Sequence, residues 1–384
     1  MLLTAEQELV VDAVRHYVQR EIAPHAAEWD KSHLFPRQAL LGLGELGCFG
    51  LTVPADWDGA GLDYVTLAAV IEEIAAGDGA LSTIISVINS VGCGPIECFG
   101  NDWQKDTFLR PIARGEWISA FCLTEPDAGS DASALRTRAV RDGDDWVISG
   151  VKQFITNGKH ADVAIVFAVT DPAAHKKGIS AFLVPTATAG YSVAKVEDKM
   201  GQHASDTCQV VFDSVRVPAS HLLGKEGEGY RIALANLESG RIGIAAQCLG
   251  MARAALQFAT RYATERHTFG QAIIRHQAVG FRLAEAAAKL EAARQLVWHA
   301  AALKDAGKPC LKESSMAKLV ASEMAEAVCS AAIQTLGGYG YLADYPLERI
   351  YRDVRVAQIY EGTSDVQKLV IARALEDEVM STAS

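Results

Sequence analysis

Ile359-Tyr360-Glu361-Gly362-Thr363-Ser364 lies between two helical patterns near the end of the 384-residue chain. Before it, Leu347, Ile350, Tyr351, Val354 and Ala357 recur at amphipathic-helix spacing, and after it Ser364-Asp365-Val366-Gln367 carries the capping-box spacing that opens another helix. Glu361 is therefore expected in a tight joint between helices. Gly362 supplies the left-handed or close-approach backbone such a joint needs, while Thr363 and Ser364 offer hydroxyls and first-turn N–H groups to a docking ligand. A carboxylate beside Tyr360 and a run of apolar residues is a candidate base with a raised pKa, because desolvation disfavours its charged form. On spacing alone, a solvated glutamate in an ordinary helix-Gly-helix turn accounts for the same residues.

Outward from this joint the hydrophobic period divides the chain in three. Tyr230 to Arg266, His276 to Leu303 and Lys312 to Leu336 are long helical runs, with Pro309 breaking the second from the third. Their apolar stripes and short connections predict a four-helix-type bundle, and their Ala/Leu faces favour oligomerisation. Earlier, the period changes to two over 118–124, 135–140, 146–155, 162–170, 178–185, 191–197 and 208–217, with Asp142-Gly143-Asp144 as a hairpin signal. Seven short strands with no helix between them predict a small antiparallel barrel or sandwich. Residues 4 to about 120 read as helices. The expected fold class is α+β: an N-terminal helical domain (1–118), a middle antiparallel β-barrel or sandwich (119–225) and a C-terminal four-helix bundle (226–384).

Gly42-Leu43-Gly44-Glu45-Leu46-Gly47 matches GxGxxG, but Pro36-Arg37-Gln38-Ala39-Leu40-Leu41 before it reads as the first turns of a helix. A dinucleotide fingerprint requires a strand there, so the match is set aside. A net charge of −11 argues against non-specific nucleic-acid binding or attraction to anionic membranes. No apolar run is read as a membrane span. Thr4-Ala5-Glu6-Gln7 already reads as a capped helix, with no secretory signal or transit peptide before it, so a cytoplasmic, bacterial-type chain is expected. Eight scattered cysteines without CxxC spacing suit reduced thiols, and no metal-ligand spacing is found.

Four stretches carry a resemblance. Ile359 to Ser364, followed by Asp365-Val366-Gln367-Lys368-Leu369-Val370-Ile371-Ala372-Arg373, is similar to the C-terminal signature of the acyl-CoA dehydrogenase family. Phe121-Cys122-Leu123-Thr124-Glu125-Pro126-Asp127-Ala128-Gly129-Ser130-Asp131 looks like the family's first signature, and Phe154-Ile155-Thr156-Asn157-Gly158 resembles its second flavin segment. Arg266-His267-Thr268-Phe269-Gly270 looks like the segment that crosses a subunit boundary to FAD. The likeness spans nearly all of residues 4–376. Departures are Asp127, Phe154 where many relatives have Trp, Glu238 where Asp is frequent, and Asp365 where Gln or Glu is frequent.

The resemblance implies FAD as cofactor, held by Phe121, Leu123, Thr124, Gly129, Ser130, Phe154, Thr156, Arg266, Phe269, Gln277, Gln334, Gly337, Gly338, Thr363 and Asp365. A strand ending in Pro, Gly and Ser leaves N–H and O–H groups for the polar edge of a flavin, Thr124 foremost. An aromatic at Phe154 and the Thr156 hydroxyl suit the isoalloxazine, and Arg266 suits a pyrophosphate. Ser130, Glu238, Arg241, Tyr360 and Gly362 are the implied acyl-CoA contacts. Relatives acting on isovaleryl or long-chain substrates carry their catalytic Glu immediately before Arg241. That position is Gly240 here, which leaves Glu361 as the implied base.

The implied reaction is dehydrogenation of an acyl-CoA to trans-2-enoyl-CoA, with Glu361 removing the α-proton, flavin N5 accepting hydride, and electrons passing to electron-transfer flavoprotein. The stretches 87–96, 239–245 and 316–319 look closest to short-chain members, straight or branched. A homotetramer, a dimer of dimers, is also implied. Rival readings are a flavin-dependent oxidase of the same fold, which would pass electrons to oxygen, and a non-catalytic acyl-CoA-binding scaffold.

Overall fold

Helix α1 (Ala5–Tyr17) begins where Thr4 and Gln7 form a reciprocal capping box: the Thr4 hydroxyl accepts from Gln7 N at 3.3 Å, and the Gln7 side chain accepts from Thr4 N at 2.8 Å. The computed structural model describes residues 2–382, so residues 1, 383 and 384 of the expected outer spans lie outside the described residues. Helices α2 (Ala26–Ser32), α3 (Arg37–Glu45), α4 (Tyr64–Gly77), α5 (Gly79–Val87), α6 (Gly94–Phe99), α7 (Asp102–Gln104) and α8 (Arg110–Ala113) complete the N-terminal part. The GxGxxG glycines fall within and just after α3, and a Cβ at Gly42 would lie 2.0 Å from the Tyr17 hydroxyl. Gly42 makes room for α1, Gly44 for the turn at Gly115, and Gly47 takes a left-handed backbone at φ 75.

α4 and α5 are almost wholly buried, and Asp78 between them caps α5 through Leu81 N at 2.9 Å. By length and composition, Gly79–Phe99 and Gly229–Glu265 are apolar enough to cross a membrane, with mean hydropathy 1.4 and 1.2. The sequence reading passed over both. Those windows are 94% and 72% buried inside the protein, which marks them as core helices.

The middle part is a single eight-stranded sheet: β1 (Ser119–Cys122), β2 (Arg138–Asp142), β3 (Asp145–Thr156), β4 (Val163–Val169), β5 (Ile179–Pro185), β6 (Tyr191–Val196), β7 (Thr207–Pro218) and β8 (Leu222–Leu223). Its order is β6-β7-β3-β2-β4-β5-β8, with β1 beside β4. The expected antiparallel barrel or sandwich is corrected on two counts. The edge strands β6 and β8 do not pair, and β8, two residues long, is too short to close the ring, so the sheet stays open. It is also mixed, since β1 runs parallel to β4 from Ser119↔Val163 to Cys122↔Val166. Period-two patterning reports which faces are buried and is silent on strand order.

The C-terminal part comprises α9 (Gly229–Glu265), the short pair β9 (His267–Thr268) and β10 (Gln271–Ala272), α10 (Gln277–Asp305), α11 (Leu311–Leu336), α12 (Pro346–Val354) and α13 (Ser364–Thr382). α9 packs against α4, α5, α10 and α11 and so joins the helical parts. A Cβ at Gly250 would lie 2.1 Å from the Glu72 carbonyl, so α9 and α4 cross in near backbone contact. Charge locks the same crossing: Arg253 reaches Glu72 at 3.0 Å and Glu73 at 2.8 Å, and Arg294 of α10 reaches Glu72 at 3.0 Å.

Candidate active site

After α12 the chain makes one tight turn over Arg355–Gln358, where Val356 O accepts from Ile359 N at 2.8 Å and Tyr360 N at 3.1 Å. Two left-handed residues follow, Glu361 (φ 54) and Gly362 (φ 88), which swing the backbone into α13. Glycine adopts that region freely, whereas for a glutamate it costs on the order of 1 kcal/mol or more and persists only when its surroundings impose it. The imposing groups are visible. Gln367 Nε2 donates to Glu361 O at 3.1 Å and Gly362 O at 2.9 Å, and Lys318 Nζ donates to Gly362 O at 2.6 Å. Thr363, not Ser364, caps α13 by accepting from Val366 N at 3.3 Å. The capping-box spacing is thus displaced by one residue, because the double left-handed turn moves the point of entry into the helix.

This joint delivers the Glu361 carboxylate into the interior. Among the described residues its Oε2 is buried with no hydrogen-bond partner, as are Nε and Nη1 of the buried Arg241 on α9. Burial pushes the Glu361 carboxyl up to about 7, against the opposing pull of the Arg241 and Lys318 charges. Lys318 is fully buried on α11, and burial brings its ammonium down to about 8. Gly240 makes the room: a Cβ there would stand 2.7 Å from Glu361 Oε2 and 3.0 Å from its Cδ. The preceding Tyr360 is tied to α9 and α5, its hydroxyl donating to Gln247 Oε1 at 2.9 Å, while Gln247 Nε2 donates to Thr83 Oγ1 at 2.7 Å.

The carboxylate opens on a cleft of about 1340 Å³ between the sheet and the helices. Phe121, Leu123, Thr124, Gly129, Ser130, Phe154 and Thr156 line it from the sheet side; Glu238, Arg241, Tyr360, Glu361 and Gly362 line it from the helical side. Phe154, left-handed at φ 58, leaves its ring 63% exposed. Behind the sheet wall a buried pair anchors the first signature: Lys152 Nζ donates to Leu123 O at 3.1 Å and Glu125 Oε1 at 2.8 Å, and Glu125 also accepts from Thr137 N at 2.9 Å. Burial alone would raise the Glu125 carboxyl, but Lys152 and these donors hold it below the usual range.

The chain that builds this cleft has clear counterparts among known proteins. Models of the acyl-CoA dehydrogenase N-terminal, middle and C-terminal domains match residues 4–116, 120–215 and 227–376. The mitochondrial short-chain specific acyl-CoA dehydrogenase of Rattus norvegicus is 47% identical over 370 residues, covering 96% of this chain and 90% of that protein. Butyryl-CoA dehydrogenase of Megasphaera elsdenii superposes with a TM-score of 0.96 at 40% identity, over 98% of this chain and 99% of that one. A chain from work on the electron transferring flavoprotein of Acidaminococcus fermentans and flavin-based electron bifurcation superposes with a TM-score of 0.94 at 45% identity, over 98% and 99%. The chain belongs to the acyl-CoA dehydrogenase family. It is accordingly a flavoprotein oxidoreductase that uses FAD to dehydrogenate acyl-CoA.

The remaining FAD-assigned residues are not brought to the first cleft. Arg266, Gln334, Gly337 and Gly338 line a second cleft of about 570 Å³ with Tyr262 and Thr268. A Cβ at Gly337 or Gly338 would meet nothing within 4 Å, and only Gly337, at φ 62, has a backbone that calls for glycine. Phe269 is 97% exposed, and Gln277 is exposed at the start of α10. Asp365 is exposed and faces Lys368 at 3.8 Å, while Thr363 is engaged as a cap. Within one chain, then, the flavin-assigned residues of the sheet side line one cleft, and an exposed arginine with a glycine pair lines another.

Sequence reading missed four polar residues behind the site: Lys318, Gln247, Thr83 and Lys152. Lys318 and Lys152 leave a trace, a single lysine inside a run of small or alternating apolar residues, whereas Gln247 and Thr83 leave none. Elsewhere, His33, Asp198 and His203 gather within 4.8 Å, but both His203 ring nitrogens are engaged, with Asp30 Oδ1 at 3.0 Å and Lys199 O at 2.6 Å.

Proposed function

We propose that the chain oxidises a short-chain acyl-CoA, straight or branched, to its trans-2-enoyl-CoA, with Glu361 as the base that takes the α-proton. The observation that carries this reading is the Glu361 carboxylate, desolvated on the inner wall of the cleft, poised near pH 7 and flanked by Arg241 and Lys318. A base matched to neutral pH combines the deprotonated form with enough basicity to act. Among the described residues the left-handed joint leaves the Glu361 N–H without a protein acceptor, available to the thioester carbonyl as enolate charge develops. FAD, when bound, supplies hydride acceptance from the β-carbon. Thr124, Thr156 and Ser130 would hold its polar groups and Phe154 and Leu123 would pack against it, with the buried Lys152–Glu125 pair fixing the segment from which Leu123 and Thr124 project. Tyr360, Gly362, Glu238 and Arg241 frame the acyl and pantetheine path.

We further read the four long helices α9, α10, α11 and α13 as a four-helix bundle and the protein as a homotetramer, a dimer of dimers. Exposed Phe269, Phe281, Leu369, Leu375 and Val379 and the exposed second cleft support contacts between copies. Arg266, Phe269, Gln277, Gln334, Gly337 and Gly338 would then meet the FAD of a neighbouring copy, while Thr363 and Asp365, beside Gly362 and Val366 of the first cleft, would meet the chain's own. Electrons taken up by bound FAD would pass to electron-transfer flavoprotein, in keeping with the Acidaminococcus fermentans neighbour. An anaerobic titration of the yellow holoenzyme against straight and branched C4 to C8 acyl-CoAs tests the reading. Bleaching by C4 and C5 esters is expected, and no bleaching by any of them would overturn it.

A further inference from the structure

The base is held from behind by a residue that sequence motifs do not mark. Lys318 is fully buried on α11, and its neighbours one turn away, Ser314, Ser315, Ala321 and Ser322, are buried and small. Its ammonium donates to Gly362 O at 2.6 Å, and among the described residues no carboxylate lies within ion-pair distance of it. A buried ammonium is costly unless a counter-charge compensates it. The titratable and charged groups facing Lys318 are Glu361 of the joint and Arg241 and Cys248 of α9. Burial raises the Cys248 thiol to about 12, which keeps it neutral, so Glu361 is the one anion among them.

We infer that Lys318 is a positioning residue for the base: its ammonium pins the joint through Gly362 O and, with Arg241, supplies the positive charge that keeps the Glu361 carboxylate ionised in the cleft. This rests on the assignment of Glu361 as base. Arg241 faces the same carboxylate from α9, so the two cations bracket it, one beside the cleft and one behind it. Gln367 also holds Gly362 O, at 2.9 Å, so the joint keeps one neutral donor when Lys318 is replaced.

The test uses the holoenzyme and the variants Lys318→Met, Lys318→Gln and Lys318→Arg, with anaerobic flavin bleaching by a C4 acyl-CoA followed from pH 6 to 9. Met removes charge and donor, Gln keeps a donor without charge, and Arg keeps the charge. In the neutral variants the acid limb is expected to move up by about one pH unit or more, a roughly fivefold or greater slowing of reduction at pH 7 that shrinks as pH rises. Lys318→Arg is expected to move the limb back toward that of the parent. An unmoved limb in either neutral variant, or a loss by the same factor at every pH, overturns the inference. So does failure of both neutral variants to yield soluble flavoprotein while Lys318→Arg folds with the parent's profile, since the charge would then serve folding alone. If the parent itself is not bleached, the base assignment has failed rather than the role of Lys318.

Discussion

Replacing Gly240 with alanine sets a methyl group against the working end of Glu361. The added Cβ would lie 2.7 Å from Oε2, 3.0 Å from Cδ and 3.1 Å from Oε1, where ordinary contact begins at 3.4 Å. The carboxylate must therefore retreat by about 0.7 Å. Its backbone cannot absorb the shift cheaply, because Glu361 and Gly362 are both left-handed and their carbonyls are held by Gln367 and Lys318. A misplacement approaching 1 Å costs up to about 10²-fold in rate, so flavin reduction by a C4 acyl-CoA is expected to slow by roughly 10- to 100-fold. Alanine has better helix propensity than glycine by up to about 1 kcal/mol, so α9 itself should not be weakened. Anaerobic stopped-flow bleaching at saturating substrate measures the effect, with flavin content and melting temperature as controls. A Gly240→Ala enzyme that reduces its flavin within about twofold of the parent would refute the steric account of why glycine stands beside the base.

Further outcomes follow from the same geometry. Glu361→Gln should retain flavin and lose about 10³-fold or more in bleaching rate, since the amide cannot accept the α-proton; near-normal turnover would sink the assignment. The base must be deprotonated to act, so with its carboxyl near 7 the bleaching rate should fall as pH drops from 8 to 6 and level off above 8, and a rate flat across this range would contradict the raised value. The double variant Glu361→Gly with Gly240→Glu should recover part of the activity lost in Glu361→Gly, because a side chain at position 240 points at the site the native carboxylate occupies; no recovery in a folded, yellow double variant argues against that direction of approach. Lys152→Met leaves the Glu125 carboxylate buried without its cation, a change that typically costs about 3–5 kcal/mol. Purification should yield a less stable protein with reduced flavin content, and unchanged melting and flavin occupancy would show that the pair does not support the cofactor wall.

The sequence by itself determined the helix, sheet, helix layout, because the hydrophobic period is a local property of the chain. It also determined which glutamate stands in the joint before α13, because the Ile359 to Ser364 motif is contiguous. Tertiary structure decided what a linear pattern does not encode. Strand order left the sheet open and partly parallel, since a period of two reports faces and not neighbours. Three residues distant in the chain, Gly240, Arg241 and Lys318, converge on one carboxylate because α9 and α11 pack side by side, and only that convergence sets its depth and charge. The FAD-assigned residues of the sheet side line one cleft and Arg266, Gln334, Gly337 and Gly338 another, a division that linear signatures cannot show.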